Sequence, residues 1–98
     1  MPQEWGRVVE SAVGSHLVNQ AISNDFKVYY WRDRSNEVDF VLERGEETIA
    51  IEVKSSFLKN ITGMEAFKKR FNPTKTYLVD NKTFPCVEFL KLNPVELF

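Results

Sequence analysis

Asp39, Glu52 and Lys54 are the residues whose types and spacing could do chemistry. Glu52 and Lys54 stand two apart in an apolar run, and on an extended strand side chains two apart project from one face. Asp39 lies in the preceding run, Val38 to Leu42, which a tight turn can pair with it. A carboxylate on one strand and a Glu-x-Lys on the next supply oxygen ligands for a hard cation and an ammonium beside an attacked phosphate. This is the equipment of Mg²⁺-dependent phosphodiester hydrolysis. An antiparallel hairpin with one solvated face alternates apolar and charged residues in the same way, so spacing alone leaves both readings open.

The elements that must position these residues follow from periodicity. From Glu37 to Ser56 the chain reads as two strands: Val38, Phe40 and Leu42 alternate with Asp39 and Val41, and Ile49, Ile51 and Val53 alternate with Ala50, Glu52 and Lys54. Gly45 supplies the turn between them. Glu4 to Ile22 has helical spacing, with Trp5, Val8, Val9, Ala12, Val13, Leu17 and Ala21 on one apolar arc that should lie on the sheet. Glu10 falls at the border of that arc, where it either faces a cleft or bends out to water. His16 sits within the arc, as a base or ligand or as a packed histidine with one hydrogen bond. Gly6 and Gly14 weaken a helix and point to close backbone packing.

Lys27 to Arg32 (KVYYWR) reads as the first strand, followed by a polar turn from Asp33 to Asn36. After Ser55 a loop leads to a helix from about Gly63 to Phe71, capped by Thr62 with Glu65 three residues on and stopped by Asn72-Pro73. Met64, Phe67 and Phe71 form its expected buried stripe, leaving Lys68, Lys69 and Arg70 outside. Lys75 to Asp80 is a further strand, closed by a turn at Asp80-Asn81-Lys82. A strand, helix and strand joined by loops this short imply a right-handed crossover and parallel pairing. The tail holds a short helix from Glu88, broken by Pro94.

Ninety-eight residues with 43% apolar content support one domain, residues 1–98, around a single two-layer core. The single cysteine, Cys86, excludes an internal disulfide and fits a cytoplasmic protein, with the thiol as a small half-buried filler. No stretch is apolar enough to span a membrane, no secretion signal opens the chain and no phosphate-binding P-loop occurs. The net charge of −1 argues against bulk electrostatic binding of nucleic acid. The charge is nonetheless segregated: Asp33 to Glu52 is acidic and Lys54 to Lys75 is basic. That suits a cation site beside a phosphate track, and equally two solvated surfaces.

The order of elements, with Glu10 on the first helix, Asp39 on the second strand and Glu52-x-Lys54 on the third, resembles the PD-(D/E)XK nuclease superfamily. Val38 stands where that motif's name has proline. The segments WGRVVESAVGSHL, VYYWRDRSNEVDFVL, AIEVKSS, TYLVD and VEFLKLNPVELF are similar to a domain of unknown function at the carboxyl terminus of prokaryotic AAA-family ATPases, over almost the whole chain. The resemblance implies an α/β (α+β) fold with a restriction-endonuclease-like core: helix, three antiparallel strands, helix and parallel strand, in a mixed central sheet flanked by helices.

It also implies roles. Asp39, Glu52 and the Val53 backbone carbonyl would hold Mg²⁺ or Mn²⁺, Lys54 would orient the attacking water, and Glu10 would serve a second metal or a metal-bound water. Arg32, Lys68, Lys69 and Arg70 are candidate contacts to a nucleic-acid backbone, DNA in the first instance. The ATPase portion of a parent protein and a second copy of the chain are the implied partners. A silent module that docks nucleic acid or neighbouring subunits for such an ATPase, with the four residues in a salt-bridged network, and a structural cap without a ligand are the rival readings. Replacing Asp39 or Glu52 by alanine is expected to abolish cleavage and leave the fold intact.

Overall fold

The computed structural model describes residues 2–34, 36–53, 62–79 and 86–98. Lys54, the loop after Ser55 and the Asp80-Asn81-Lys82 turn lie outside the described residues, as do the side chains of Trp5, Val8, Val9, Thr62 and Cys86. The elements run α1 (Pro2–Asn24), β1 (Lys27–Asp33), β2 (Asn36–Arg44), β3 (Glu47–Val53), α2 (Thr62–Phe71), β4 (Lys75–Val79), α3 (Cys86–Lys91) and a 3₁₀ turn (Pro94–Leu97). The strands form one sheet in the order β1-β2-β3-β4. Neighbours are antiparallel for the first two pairs and parallel for β3 with β4. The expected mixed sheet flanked by helices is therefore the fold observed.

Local chemistry sets the joints. Gly45 takes φ 60° at the first position of the two-residue loop between Arg44 and Glu47, where a residue with a Cβ is strained. Asp25 and Asn72, with φ of 54° and 49°, end α1 and α2 in the left-handed region that short polar side chains tolerate. The Asn72 N–H donates back to the Lys68 carbonyl at 3.0 Å, and Pro73 prevents continuation. Pro94 does not end a helix, as the sequence suggested. It opens the 3₁₀ turn, in which Asn93 Oδ1 accepts the Val95 N–H at 3.1 Å, because proline's fixed φ and missing N–H suit a helix's first turn.

On one side of the sheet, Val13 and Leu17 of α1 pack with Phe26, Leu42, Ile49, Ile51, Val53, Val79, Phe89 and Leu97 in a continuous apolar core. Gly14 brings α1 close: a Cβ there would stand 3.1 Å from the Phe40 ring. His16 is the packed histidine, its Nε2 2.8 Å from the Leu92 carbonyl and its ring edge-on to Phe89. The carbonyl accepts, so Nε2 carries the proton. The tail is fixed to β4 by Tyr77, whose hydroxyl donates to the Leu97 carbonyl at 2.7 Å, and by Lys75 Nζ, which donates to the Phe98 carbonyl at 2.9 Å.

On the other side a smaller cluster gathers Val38, Val41 and Ala50 under Phe67 of α2, with Trp31 and Met64 beside it. Gly63 sets the approach of α2, since a Cβ there would overlap the Glu37 carbonyl and stand 2.7 Å from the Glu37 nitrogen. Phe71, expected in the buried stripe, is 47% exposed, with its ring against Trp31 and Phe67 at the cluster's margin. It lies in the last turn of a ten-residue helix, past the end of the cluster that Phe67 caps. Among the described residues no helix is long and apolar enough to cross a membrane.

Candidate metal centre

The strict alternation expected of Val38, Phe40 and Leu42 does not hold. From Tyr29 to Trp31 the pairing advances two residues on β1 but three on β2, from Val41 to Val38. One extra residue therefore sits in β2 at Asp39-Phe40, a β-bulge that changes which face the following side chains take. Phe40 and Leu42 pack on the α1 side, while Val38 joins Val41 on the α2 side.

The bulge positions Asp39. Pairing of β2 with β3 runs from Arg44 opposite Glu47 to Phe40 opposite Ile51. One residue further, the Asp39 side chain takes part, its Oδ2 accepting the Val53 N–H at 2.7 Å. The carboxylate is thus held against the backbone joining Glu52 to Val53. Asp39 is 9% exposed and Glu52 2% exposed, so both are core positions. The expectation that Asp39 could be truncated without cost to the fold is corrected: a buried group that accepts a backbone N–H is part of what holds the strands, and Glu52 is likewise buried rather than exposed on a cleft wall.

Glu52 opens on the α2 side, into a cleft of about 260 Å³ shared with Met64, Glu65 and Lys68 of α2 and with Thr76 and Leu78 of β4. This follows from the strand's period of two, because Ile51 and Val53 on either side belong to the α1-side core. The groups that a metal would use here, the Asp39 and Glu52 carboxylates and the Val53 carbonyl, are all oxygen donors, the chemistry that suits a hard divalent cation. A carboxylate has about four lone-pair sites, so accepting one N–H leaves Asp39 capacity for a cation.

The remaining candidates divide. Glu10 is half-buried on α1, as the helical wheel required. Among the described residues no three His, Cys, Asp or Glu side chains group as a metal site, so Glu10 does not complete one with Asp39 and Glu52. Lys54 lies outside the described residues. Arg32 is exposed, its Nε donating to the Arg34 carbonyl at 3.4 Å. Lys68 and Lys69 are exposed, and Lys68 reaches the Glu52 cleft. Arg70 pairs with Asp33 at 3.3 Å and lies over the Phe71 ring at 5.4 Å, so the acidic and basic segments meet at the β1 edge.

Sequence reasoning did not single out the aromatic residues of β1 and α2 as a site. Tyr29, Tyr30, Trp31, Phe67 and Phe71 line a second cleft, of about 320 Å³, that reaches Glu43 and Thr48. Their signal was three successive aromatic residues in KVYYWR, read only as strand propensity.

No curated protein matches the chain. The family model for DUF4143, a domain of unknown function, matches residues 5–92. That match covers both candidate carboxylates, the four described strands, α2, α3 and all of α1 but its first three residues, and the protein belongs to the DUF4143 family.

Proposed function

We propose that this chain is a Mg²⁺-dependent nuclease domain of the PD-(D/E)XK type, acting within an AAA-family ATPase on nucleic acid. The observation that carries the reading is the Asp39 carboxylate bonded to the Val53 N–H at 2.7 Å, beside a Glu52 that is itself buried. Buried carboxylates are costly unless hydrogen-bonded, paired or metal-bound, and two at adjacent strand positions are hard to explain as surface decoration.

In this reading Asp39, Glu52 and the Val53 carbonyl hold the cation. The metal, when bound, supplies Lewis-acid stabilisation of the charge that builds on the attacked phosphate. The chain's own residues do the rest. The Asp39–Val53 hydrogen bond fixes one carboxylate, the β3 backbone fixes the other, and Lys68 at the mouth of the cleft meets a phosphate oxygen. Lys54, two residues beyond Glu52, orients the attacking water.

A second reading, a silent docking module for the ATPase, is favoured by the lack of a third grouped carboxylate among the described residues. Calorimetric titration with Mn²⁺ separates the two. Wild-type binding with a millimolar or tighter Kd, removed by Asp39→Asn, is the expected result. Equal heats from both proteins would rule out the centre and leave the docking module.

A further inference from the structure

The two edges of the sheet are unlike. At one edge, β4 is half-buried from Thr76 to Leu78 and buried at Val79, and Lys75 and Tyr77 tie the chain's tail to it. At the other, β1 is exposed along its length except at Val28 and Trp31, which are half-buried. Among the described residues nothing hydrogen-bonds to the outer backbone of β1. Open edge strands are ordinarily blunted by a proline, a bulge or a charge in mid-strand. β1 has none of these. Lys27 to Asp33 contains no proline or glycine, and the bulge's extra residue lies in β2. The charged residues, Lys27, Arg32 and Asp33, stand at the strand's ends, leaving Val28 to Trp31 as an uncharged run of strand-forming side chains.

The charges at the ends are complementary to those of a second copy. Two β1 strands paired antiparallel about a two-fold axis normal to the sheet keep each face on its own side, so residues of the same face must oppose one another. With the axis at Tyr30, Lys27 opposes Asp33, Val28 opposes Arg32, Tyr29 opposes Trp31, and Tyr30 meets its own counterpart. Every residue of β1 is then paired, with an opposite-charge pair at both ends and an aromatic pair on either side of the axis. The neighbouring registers are poorer. An axis at Tyr29 sets Asp33 against Asp25, and one at Trp31 sets Asp33 against a tyrosine ring and Arg34 against Val28. The α2 face is prepared for the favoured register: Trp31 is already held edge-on by Phe67, and Asp33, paired with Arg70 at 3.3 Å, remains open enough to meet a second cation.

We propose that β1 is a self-pairing edge, through which two copies of the chain join antiparallel about Tyr30 into one continuous sheet. The inference goes beyond the nuclease reading and does not depend on it. Because the axis preserves the α2 side, the two Glu52 clefts open on the same face of the joined sheet.

The test is sedimentation equilibrium of the whole chain under reducing conditions, from about 1 μM to about 1 mM, where a reversible monomer–dimer equilibrium is expected. Lys27→Asp and Asp33→Lys each set like charges opposite one another at both ends of the pair, and each should weaken the dimer about tenfold. Mixed in equal amounts, the two variants should associate with each other about as well as wild type, because both end pairs are then of opposite charge. Within the chain Lys27 stands opposite Glu43 and Asp33 pairs with Arg70, so each reversal also disturbs its own protomer. Mixing leaves that disturbance in place and changes only the pairing between chains. A check that needs no variant is hydrogen exchange: amides from Val28 to Arg32 should slow as the concentration of wild type rises, while those of β4 do not. A monomer throughout the range would overturn the proposal and leave the edge to a strand of another protein. A dimer indifferent to both reversals, folded variants that fail to associate on mixing, or β1 amides that do not slow as the dimer forms would each overturn it as well.

Discussion

The two sides of the sheet are built to different rules. Toward α1, ten buried side chains among the described residues, all apolar, make one cluster, and α1, α3 and the 3₁₀ turn close over it. Toward α2, the described residues give a cluster of four buried side chains, the helix is ten residues long, and the same side carries a buried glutamate and a row of half-exposed rings. Burial of apolar area is the main source of stability, at roughly 25 cal/mol per Å². The α1 side therefore supplies most of the stability, and the α2 side is the one on which polar and aromatic groups can be spent on ligands.

The largest expected effect breaks this comparison if it fails. Leu17→Ala, at a position with no exposed surface, should cost about 2–5 kcal/mol. For a domain of this size each kcal/mol lowers Tm by about 4–8 °C. Phe71→Ala removes a larger side chain, but one that is 47% exposed, and should cost well under half as much. Thermal unfolding of both variants is the measurement. If Phe71→Ala proves as destabilising as Leu17→Ala, the α2 side is structural and the division is wrong.

The outline of this architecture was legible because it rests on local signals. The helical wheel of α1, the strand alternation around Gly45 and the Asn72-Pro73 stop each follow from spacing or from a backbone requirement of a single residue. What could not be read is non-local. The bulge at Asp39-Phe40 appears only when β1 is paired with β2, and it reverses the face that Val38 takes. Likewise, nothing in the pattern said that Gly63 must lie against the Glu37 backbone, or that Phe71 would fall beyond the cluster it was expected to join. At the candidate centre, Asp39 and Glu52 were legible as residue types at strand spacing. Their burial was not, since alternation alone fits a solvated face equally well.

An intermediate effect sharpens the comparison at the seam between the sides. Asp39→Ala removes the acceptor of the Val53 N–H, and losing a buried hydrogen bond of this kind costs about 1–3 kcal/mol. Asp39→Asn keeps a carbonyl oxygen able to accept the same N–H while losing the charge, so its denaturant midpoint should stay near that of wild type. The pair separates the structural from the ionic role of one side chain. A midpoint for Asp39→Asn as low as that of Asp39→Ala would mean that the charge itself holds β2 against β3.

The smallest effect lies at the exposed edge, where Tyr30 donates its hydroxyl to Glu37 Oε2 at 2.9 Å. That hydrogen bond, with lesser help from desolvation and from the Glu37 charge, raises the Tyr30 pKa above the usual value of about 10. Tyr77 is raised as well, by burial. A phenol raised in the folded state holds its proton where the unfolded chain has begun to lose it. Its contribution to stability is therefore complete below about pH 10 and is lost as pH rises from there through the folded-state value. Phenolate absorbance against pH should accordingly show Tyr30 and Tyr77 titrating late. Glu37→Gln should bring Tyr30 down toward its ordinary value and leave Tyr77 where it was, since only Tyr30 owes its shift to a carboxylate. If both late titrations survived Glu37→Gln, the Tyr30–Glu37 hydrogen bond would not be formed in solution. The β1 edge beside the aromatic cleft would then be looser than the strand pairing implies.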